Sequence, residues 1–453
     1  MPYQNIPTEL GTEKISKLLR QYAIPAIIAM TASSLYNMVD SIFIGHGVGA
    51  LAISGLAVTF PFMNISVAFG TLVGVGASTL VSIKLGQEDY ASAQKVLGNV
   101  IILNIIIGIV FMILSLIFLD PILYFFGAGE QTIMYARTYM IIILLGNVVT
   151  HLYFGLNNVL RSSGHPRKAM MLTIFTVLLN ILLDPLFIFV FNWGIQGAAI
   201  ATVFSQLIAL VWQMNIFSDK KALLHLRKGI FKIDFRLARD MFAIGLSPFL
   251  MNIASCFIVI LINKGMKTYG GDLAIGAYGI VNRFTFMFLM IVFGFNQGMQ
   301  PITGYNYGAK NISRVLEALR MTVFFATIVT TTSFLTGEFF PEAVARLFTS
   351  DETLIGLSVY GLRITVICYP LIGTQIVISS FFQSIGMAGK AIILSLTRQV
   401  IVLIPCLILL PKVYGVTGVW ASMPASDLVA SIVSTSMIFY QLKKFRADRP
   451  AMI

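Results

Sequence analysis

The sequence predicts an all-α membrane protein with twelve transmembrane helices arranged in two six-helix lobes. The prediction depends on the composition, the number of long apolar stretches and an internal repeat. Of the 453 residues, 57% are hydrophobic and only 11% are charged, whereas soluble domains carry about 25% charged residues. The chain is therefore expected to fold within a lipid bilayer.

Apolar stretches long enough to cross a bilayer recur along the whole chain. A helix needs about 20 apolar residues to span the hydrocarbon core, and twelve stretches meet this requirement. Several of them exceed 25 residues, which predicts tilted or kinked helices. The predicted spans are 18–44, 51–82, 94–119, 132–159, 168–190, 194–216, 238–268, 272–302, 315–336, 354–383, 388–411 and 415–441.

The distribution of basic residues predicts the orientation of these spans. Of the 31 Lys and Arg residues, 23 fall on the side of the N-terminus, 4 on the opposite side and 4 within spans. Basic residues collect in cytoplasmic segments, so both termini are expected in the cytoplasm. The net charge of +12 therefore reflects the basic residues of the cytoplasmic segments, and we do not expect nucleic-acid binding.

An internal repeat divides the chain into halves. The stretch 161–169 (RSSGHPRKA) aligns with 383–391 (QSIGMAGKA) at an offset of 222, and 194–198 (GIQGA) aligns with 415–419 (GVTGV) at 221. Six spans per half is an even number, so both halves enter the membrane in the same direction and are related by a pseudo-two-fold axis along the membrane normal. We predict an N-terminal lobe over 1–216, a cytoplasmic linker over 217–237 and a C-terminal lobe over 238–453.

Two carboxylates lie within the apolar stretches 24–45 and 169–190, which contain no other charged residue, and a charge there costs at least ~2.5–3.5 kcal/mol. Asp40 is in the first span and Asp184 in the fifth, with Asn180 one helical turn before Asp184 and Thr202 in the sixth span. At 1.5 Å per residue, all four lie roughly 6–12 Å from the outer interface. They form a set of hard oxygen ligands that can take up an alkali cation such as Na⁺, or a proton because paired buried carboxylates resist joint ionisation.

Several sequence runs resemble the multidrug and toxic compound extrusion (MATE) family, in its bacterial MepA-like or DinF-like branch. They are 35–45 (LYNMVDSIFIG), 155–168 (GLNNVLRSSGHPRK) and 180–185 (NILLDP) followed by 194–199 (GIQGAA). The resemblance implies a V-shaped pair of lobes that exports drugs in exchange for Na⁺ or H⁺. It adds the carbonyl of Ala198 and the side chain of Asn157 to the cation site, and a bend of the first helix at Pro25.

The repeat also predicts where a substrate would bind, since parallel-repeat transporters bind between their halves near the midplane. Aromatic, amide and methionine side chains suit flat organic cations. The candidates are Tyr36, Asn37, Phe62, Asn64, Tyr278, Asn282, Met287 and Gln297. The C-terminal lobe has no second copy of the carboxylate pair; its Asp427 stands within reach of pairing with Arg398 on the preceding span.

We therefore expect a secondary active exporter, driven by Na⁺ or H⁺ and without another cofactor, in the bacterial cytoplasmic membrane. Its partners would be organic cations, amphipathic drugs and membrane lipid, and we expect a monomer. The alternative is a lipid-linked precursor flippase, but such a protein should carry more basic residues within its spans. An enzyme is not expected, because no catalytic constellation of His, Cys and carboxylates is visible.

Overall fold

The computed structural model describes residues 8–227 and 229–447, except the side chains of residues 36–38 and 50, and every regular element in this part is helical. The elements of the first half are α1 Glu9–Thr12, α2 Ile15–Gly47, α3 Ala50–Gly86, α4 Tyr90–Ile117, α5 Leu119–Phe125, α6 Ile133–Leu145, α7 Asn147–Ser162, α8 Pro166–Pro185, the π-helix π1 Leu186–Val190 and α9 Gly194–Phe217. Those of the second half are α10 Phe235–Gly308, α11 Ile312–Phe339, α12 Pro341–Arg346, α13 Glu352–Val366, α14 Tyr369–Ser384, α15 Ala388–Leu396, the π-helix π2 Thr397–Leu403, α16 Ile404–Tyr414 and α17 Val416–Ala447.

The helix bounds confirm the repeat. Helices α4 and α11 are displaced by 222 residues at both ends, and so are α7 and α14. The turns before α4 and α11 also match: Glu88 and Lys310 both adopt φ of 58°. The next residues, Asp89 and Asn311, both cap a helix by accepting a hydrogen bond from the backbone N–H three residues later. Such matching local geometry supports two copies of one structural unit.

Helix lengths agree with a protein that crosses the membrane many times. In the described part, eight helices are long and apolar enough to span a bilayer. The number of candidate spans rises to ten if each of two bent helix pairs is counted as one span. Element α10 has 74 residues and leaves helical geometry at Gly271, where two helices join at a kink; at 1.5 Å per residue each part is about 55 Å long, enough for one span. Counting α10 as two spans raises the number from ten to eleven. Adding α11, the counterpart of the spanning helix α4, gives the predicted twelve.

Two predicted spans are broken rather than continuous. The span 132–159 is split into α6 and α7 with a 55° bend, and 354–383 into α13 and α14 with a 53° bend. At the first break, a Cβ on Gly146 would lie 2.4 Å from the side chain of Val203 in α9, so the backbone packs directly on that helix. At the second break, Pro370 stands in the first turn of α14, where its missing N–H costs nothing.

By its contacts the chain divides into two units at positions that differ from the predicted domain bounds. The first unit contains the described residues up to Thr12 and those of 28–252; the second contains Glu13–Ile27 and the described residues from Ile253 onward. Helix α2 therefore contributes its first turns to the second unit and its remainder to the first. The segment 217–237, expected to be a linker, belongs to the first unit.

Two side chains of α4 attach this segment to the first unit; we call Gln94 and Asn99 the loop clamp. The amide of Gln94 donates to the carbonyl of His225 and accepts its N–H at 3.1 Å. Asn99 bonds the carbonyl and N–H of Asp234 in the same way, both at 3.2 Å. Because both amides are buried and each hydrogen bond stabilises by about 0.5–1.5 kcal/mol, the segment 217–237 is held against α4.

Candidate cation site in the first unit

Asp40 is held in place by the packing of α2 against the end of α8 and π1. Its side chain is only 5% exposed. Ile44, one turn later on the same face, is fully buried in a core cluster that includes Ile188 of π1. The rings of Phe43 and Phe189 meet edge to face with centroids 6.4 Å apart. The last turns of α2 therefore carry Asp40 into the protein interior.

Asp184 lies where the fifth predicted span changes its helical form. Its side chain is fully buried. The following Pro185 has no N–H and cannot continue the α-helical hydrogen bonding, and the chain continues as the π-helix π1. Single π-helical turns within membrane helices are frequent at functional sites. The local sequence thus breaks the helix directly beside a buried carboxylate.

Asn180 connects Asp184 to α9. Its neighbours determine the orientation of the amide: the nitrogen donates to Asp184 Oδ2 at 3.0 Å, and the oxygen accepts from the backbone N–H of Thr202 at 3.1 Å. The side chains of Asn180 and Thr202 are both buried. Helices α8 and α9 therefore meet at this amide, and the side chains of Asn180 and Asp184 join the backbone N–H of Thr202 in one hydrogen-bonded group.

The charges of Asp40 and Asp184 interact electrostatically with each other. Among the described residues, neither Asp40 Oδ1 nor Asp184 Oδ1 has a hydrogen-bond partner, although both atoms are buried. A buried polar atom without a partner is costly, and a buried charge is more so. The two carboxylates together form an acidic, oxygen-rich site that a proton or a small hard cation would stabilise. No group of three His, Cys, Asp or Glu side chains suited to a metal occurs within the described residues.

The other two predicted ligands differ in position. Ala198 is fully buried in the core cluster beside Ile44, within the turn of α9 that precedes Thr202. Asn157 donates to the carbonyl of Ala169 at 3.1 Å, near the start of α8. Since Asp184 lies 15 residues further along that helix, about 22 Å away, the structure does not bring Asn157 to the carboxylates.

The predicted substrate-cavity residues fall into different environments. Phe62 is a core residue of the first unit, with its ring 5.7 Å from that of Phe111. Tyr278 is buried in the second unit, 6.2 Å from the ring of Trp420. Of the others, Asn64 and Gln297 are half-buried, Asn282 and Met287 are exposed, and the side chains of Tyr36 and Asn37 lie outside the described residues. Phe62 and Tyr278 are large aromatic side chains in apolar helices, and such side chains pack in a protein core as readily as they line a cavity.

Sequence reasoning missed a buried polar network beside the α6–α7 break. The Ser66 hydroxyl donates to the side-chain oxygen of Asn147, and the Asn147 amide donates to the carbonyl of Gly108 at 3.3 Å. Nε2 of the buried His151 lies 2.9 Å from the carbonyl of Ser66. The available signal in the sequence was the presence of Asn147 and His151 within one apolar stretch. The network ties α7 to α3 and α4 close to the bend.

Comparison with known proteins places these features in a wider group. The sequence model of the MatE family matches residues 25–186 and 244–408, once in each half. Two relatives bear the name multidrug export protein MepA. The one from Staphylococcus haemolyticus is 26% identical over 97% of this chain and 96% of its own length. The one from Staphylococcus aureus strain NCTC 8325 is 28% identical over 95% and 94%.

Solved structures share the fold. A crystal structure of MATE in the bent conformation has a TM-score of 0.91 to this chain and is 24% identical, covering 97% of this chain and 98% of that one. An outward-facing multidrug resistance MATE transporter of the MOP superfamily has a TM-score of 0.90 at the same identity and coverage. At this level of identity the likeness establishes the fold.

Proposed function

Because the chain belongs to the MatE family, whose sequence model matches both of its halves, we propose that it is a secondary active multidrug exporter coupled to Na⁺ or H⁺. Its curated relatives carry the name multidrug export protein. The proposed substrates are organic cations and amphipathic drugs. The proposed location is the bacterial cytoplasmic membrane with both termini in the cytoplasm, as the distribution of Lys and Arg predicts.

One observation carries the proposed coupling site: Asp40 and Asp184 are buried, interact electrostatically and each have a buried oxygen atom without a partner among the described residues. A proton or a Na⁺ ion arriving there would neutralise charge that the site otherwise holds in a low-dielectric interior. The Asn180 amide orients Asp184, and the Thr202 hydroxyl would add an oxygen to a hard-oxygen set for Na⁺. We leave Asn157 out of this site because of its distance from Asp184.

Coupling then follows from linkage. Asp40 is on α2 and Asp184 on α8, so a cation bound by both favours the conformation in which these helices are close. If the drug binds better to a different conformation, the two ligands exchange through their differential affinities. Helix α2 runs unbroken through Pro25, and the division between the two units falls two residues later. We propose that α2 bends there when the carboxylates change charge.

The proposal is tested with purified protein in liposomes, by imposing either a Na⁺ gradient or a pH gradient alone and following ethidium transport. We expect one gradient to drive transport, and we expect Asp40→Asn and Asp184→Asn each to abolish it. The matched control is Asp272→Asn, because that carboxylate is 87% exposed and makes only a long, exposed ion pair with Lys267 Nζ, at 3.9 Å. Active export by either buried-site variant, or its loss in the control, would contradict the assignment.

A further inference from the structure

The second unit contains a buried ion pair that the proposed coupling mechanism does not use. Nε of Arg398 donates to Oδ1 of Asp427 at 2.7 Å. The Asp427 side chain is only 4% exposed, whereas 23% of the Arg398 side chain is accessible. Arg398 lies on π2, between α15 and α16, so this polar pair also coincides with a π-helical segment, which is frequent at functional sites.

The pair lies deep in the membrane. Arg398 is ten residues from the start of the span Ala388–Tyr414, and Asp427 eleven from the start of Val416–Ala447. At 1.5 Å per residue these positions are about 15 Å from the nearest ends, half the thickness of a ~30 Å hydrocarbon core. An arginine side chain is too short to reach a lipid headgroup from there, and ionisable side chains within membrane segments almost always face the protein interior or a water-filled cavity. We therefore place the accessible part of the Arg398 side chain against a polar space within the protein.

Most of the hydrogen-bonding capacity of this guanidinium is unused. Arginine has five N–H donors in a planar fork, and within the described residues only Nε of Arg398 is hydrogen-bonded. Asp427 balances the charge of Arg398 and holds one edge of the fork, which leaves the other edge for a planar anion that accepts two hydrogen bonds.

Aromatic side chains border this position. The phenol of Tyr369 is buried and lies within electrostatic range of both Arg398 and Asp427. Tyr278, also within range of Tyr369, packs against Trp420. A charged fork beside phenol rings suits a flat aromatic molecule that carries a carboxylate.

We propose that Arg398 binds the carboxylate of zwitterionic or acidic aromatic substrates and so determines the preference for them. This inference rests on the proposed function, since it names a residue that selects among the substrates of the same exporter. Asp427 is a positioning residue in this site, because it orients Arg398 and does not itself meet the anion.

The test compares tetramethylrhodamine, which carries a free carboxylate, with its methyl ester, which lacks it. Binding of each dye to the full-length protein in detergent is measured by fluorescence polarisation. We expect Arg398→Gln to weaken binding of the acid about tenfold or more, since a hydrogen-bonded charge is lost, and to change binding of the ester less than twofold. Arg398→Lys should restore part of the affinity for the acid.

Two further variants keep the test decisive. Arg398→Gln leaves Asp427 as an unbalanced buried charge, so the double variant with Asp427→Asn provides a folded protein without either charge; it should also bind the acid weakly. Arg363→Gln, at an exposed arginine of α13, should bind both dyes as the unaltered protein does. Unchanged binding of the acid in the double variant, or equal loss of both dyes in Arg398→Gln and the double variant, would overturn the inference.

Transport separates this inference from the proposed function. In liposomes with an imposed cation gradient, export of the ester tests the exporter itself, whereas the ratio of acid to ester binding tests Arg398. A protein that exports the ester but binds the acid independently of Arg398 would refute the inference alone. A protein that exports neither dye would refute the proposed function, while the binding ratio would still decide the role of Arg398.

Discussion

Replacing Asn180 with leucine tests the cation site through a side chain that carries no charge. Leucine has the same side-chain branching as asparagine but no polar atoms, so the change removes the hydrogen bond to Asp184 Oδ2 (3.0 Å) and the acceptor for the Thr202 N–H (3.1 Å) without shortening the side chain. A hydrogen bond to a charged group is worth about 1.5–3 kcal/mol. The expected change in cation affinity is therefore about 10- to 150-fold.

The direction of that change distinguishes the two coupling ions. If protons drive transport, the Asp184 anion loses a stabilising donor, the proton binds more tightly and half-maximal transport moves to a lower proton concentration. If Na⁺ drives transport, the ion loses a carboxylate that Asn180 holds in position, and half-maximal transport requires a higher Na⁺ concentration. Initial rates of ethidium efflux from liposomes, measured across a series of Na⁺ concentrations and of pH, give both values.

Asn158 provides the control for this substitution. Its amide donates to the carbonyl of Phe154 within its own helix, at 2.9 Å, so Asn158→Leu removes a local hydrogen bond of similar geometry without touching Asp184. We expect its cation dependence to match that of the unaltered protein. If Asn180→Leu shows the same Na⁺ and pH dependence as the unaltered protein, the hydrogen-bonded group described here does not contribute to coupling.

Three further predictions concern the helix packing of the first unit and the attachment of the segment 217–237. Gly76→Ala should lower stability by about 1–3 kcal/mol through overpacking, because its Cβ would lie 2.0 Å from the carbonyl oxygen of Met241. The control is Gly279→Ala, whose Cβ meets no atom within 4 Å and which should be neutral or stabilising. Equal melting temperatures of the two variants in detergent would contradict this prediction. Asn99→Leu removes two hydrogen bonds of the loop clamp and should make trypsin cleave the segment 217–237 several-fold faster, whereas an unchanged rate would show that the clamp does not hold it. Hydrogen bonds from the first turn of α10 keep the pKa of Asp234 below its usual range. The contribution of this carboxylate to stability is therefore present above its unfolded pKa of about 4 and is lost as pH falls. Hydrogen exchange, corrected for intrinsic rates, should show the segment 217–237 opening at acidic pH, and Asp234→Asn should open it at neutral pH.

Several features of the fold followed from local sequence properties. The apolar stretches predicted the membrane class because helix length and hydrophobicity depend on neighbouring residues. The 222-residue offset predicted two copies of one helical unit, and α4 with α11 and α7 with α14 confirm it. The pairing of Arg398 with Asp427 was also foreseeable, because two opposite charges in adjacent apolar spans have few other partners.

The breaks, the loop clamp and the unit boundaries were not foreseeable from the same reasoning. The bend at Gly146 depends on the approach of Val203, 57 residues later in the chain. The loop clamp depends on Gln94 and Asn99 meeting a segment more than 130 residues away. Periodicity carries no information about such contacts, and a polar residue in an amphipathic position gives no sign of which distant backbone it will bind.

The amino-acid sequence alone determined that the chain is a helical membrane protein built from a duplicated unit, and it identified the polar side chains that such a protein must bury for a reason. Only the tertiary structure decided which of them meet: it joined Asn180 to Asp184 and Thr202, placed Asn157 near the opposite end of α8, and left part of the Arg398 side chain accessible. The reason is that hydrophobicity and helical periodicity are properties of neighbouring residues, whereas a binding site is made by residues that only packing brings together.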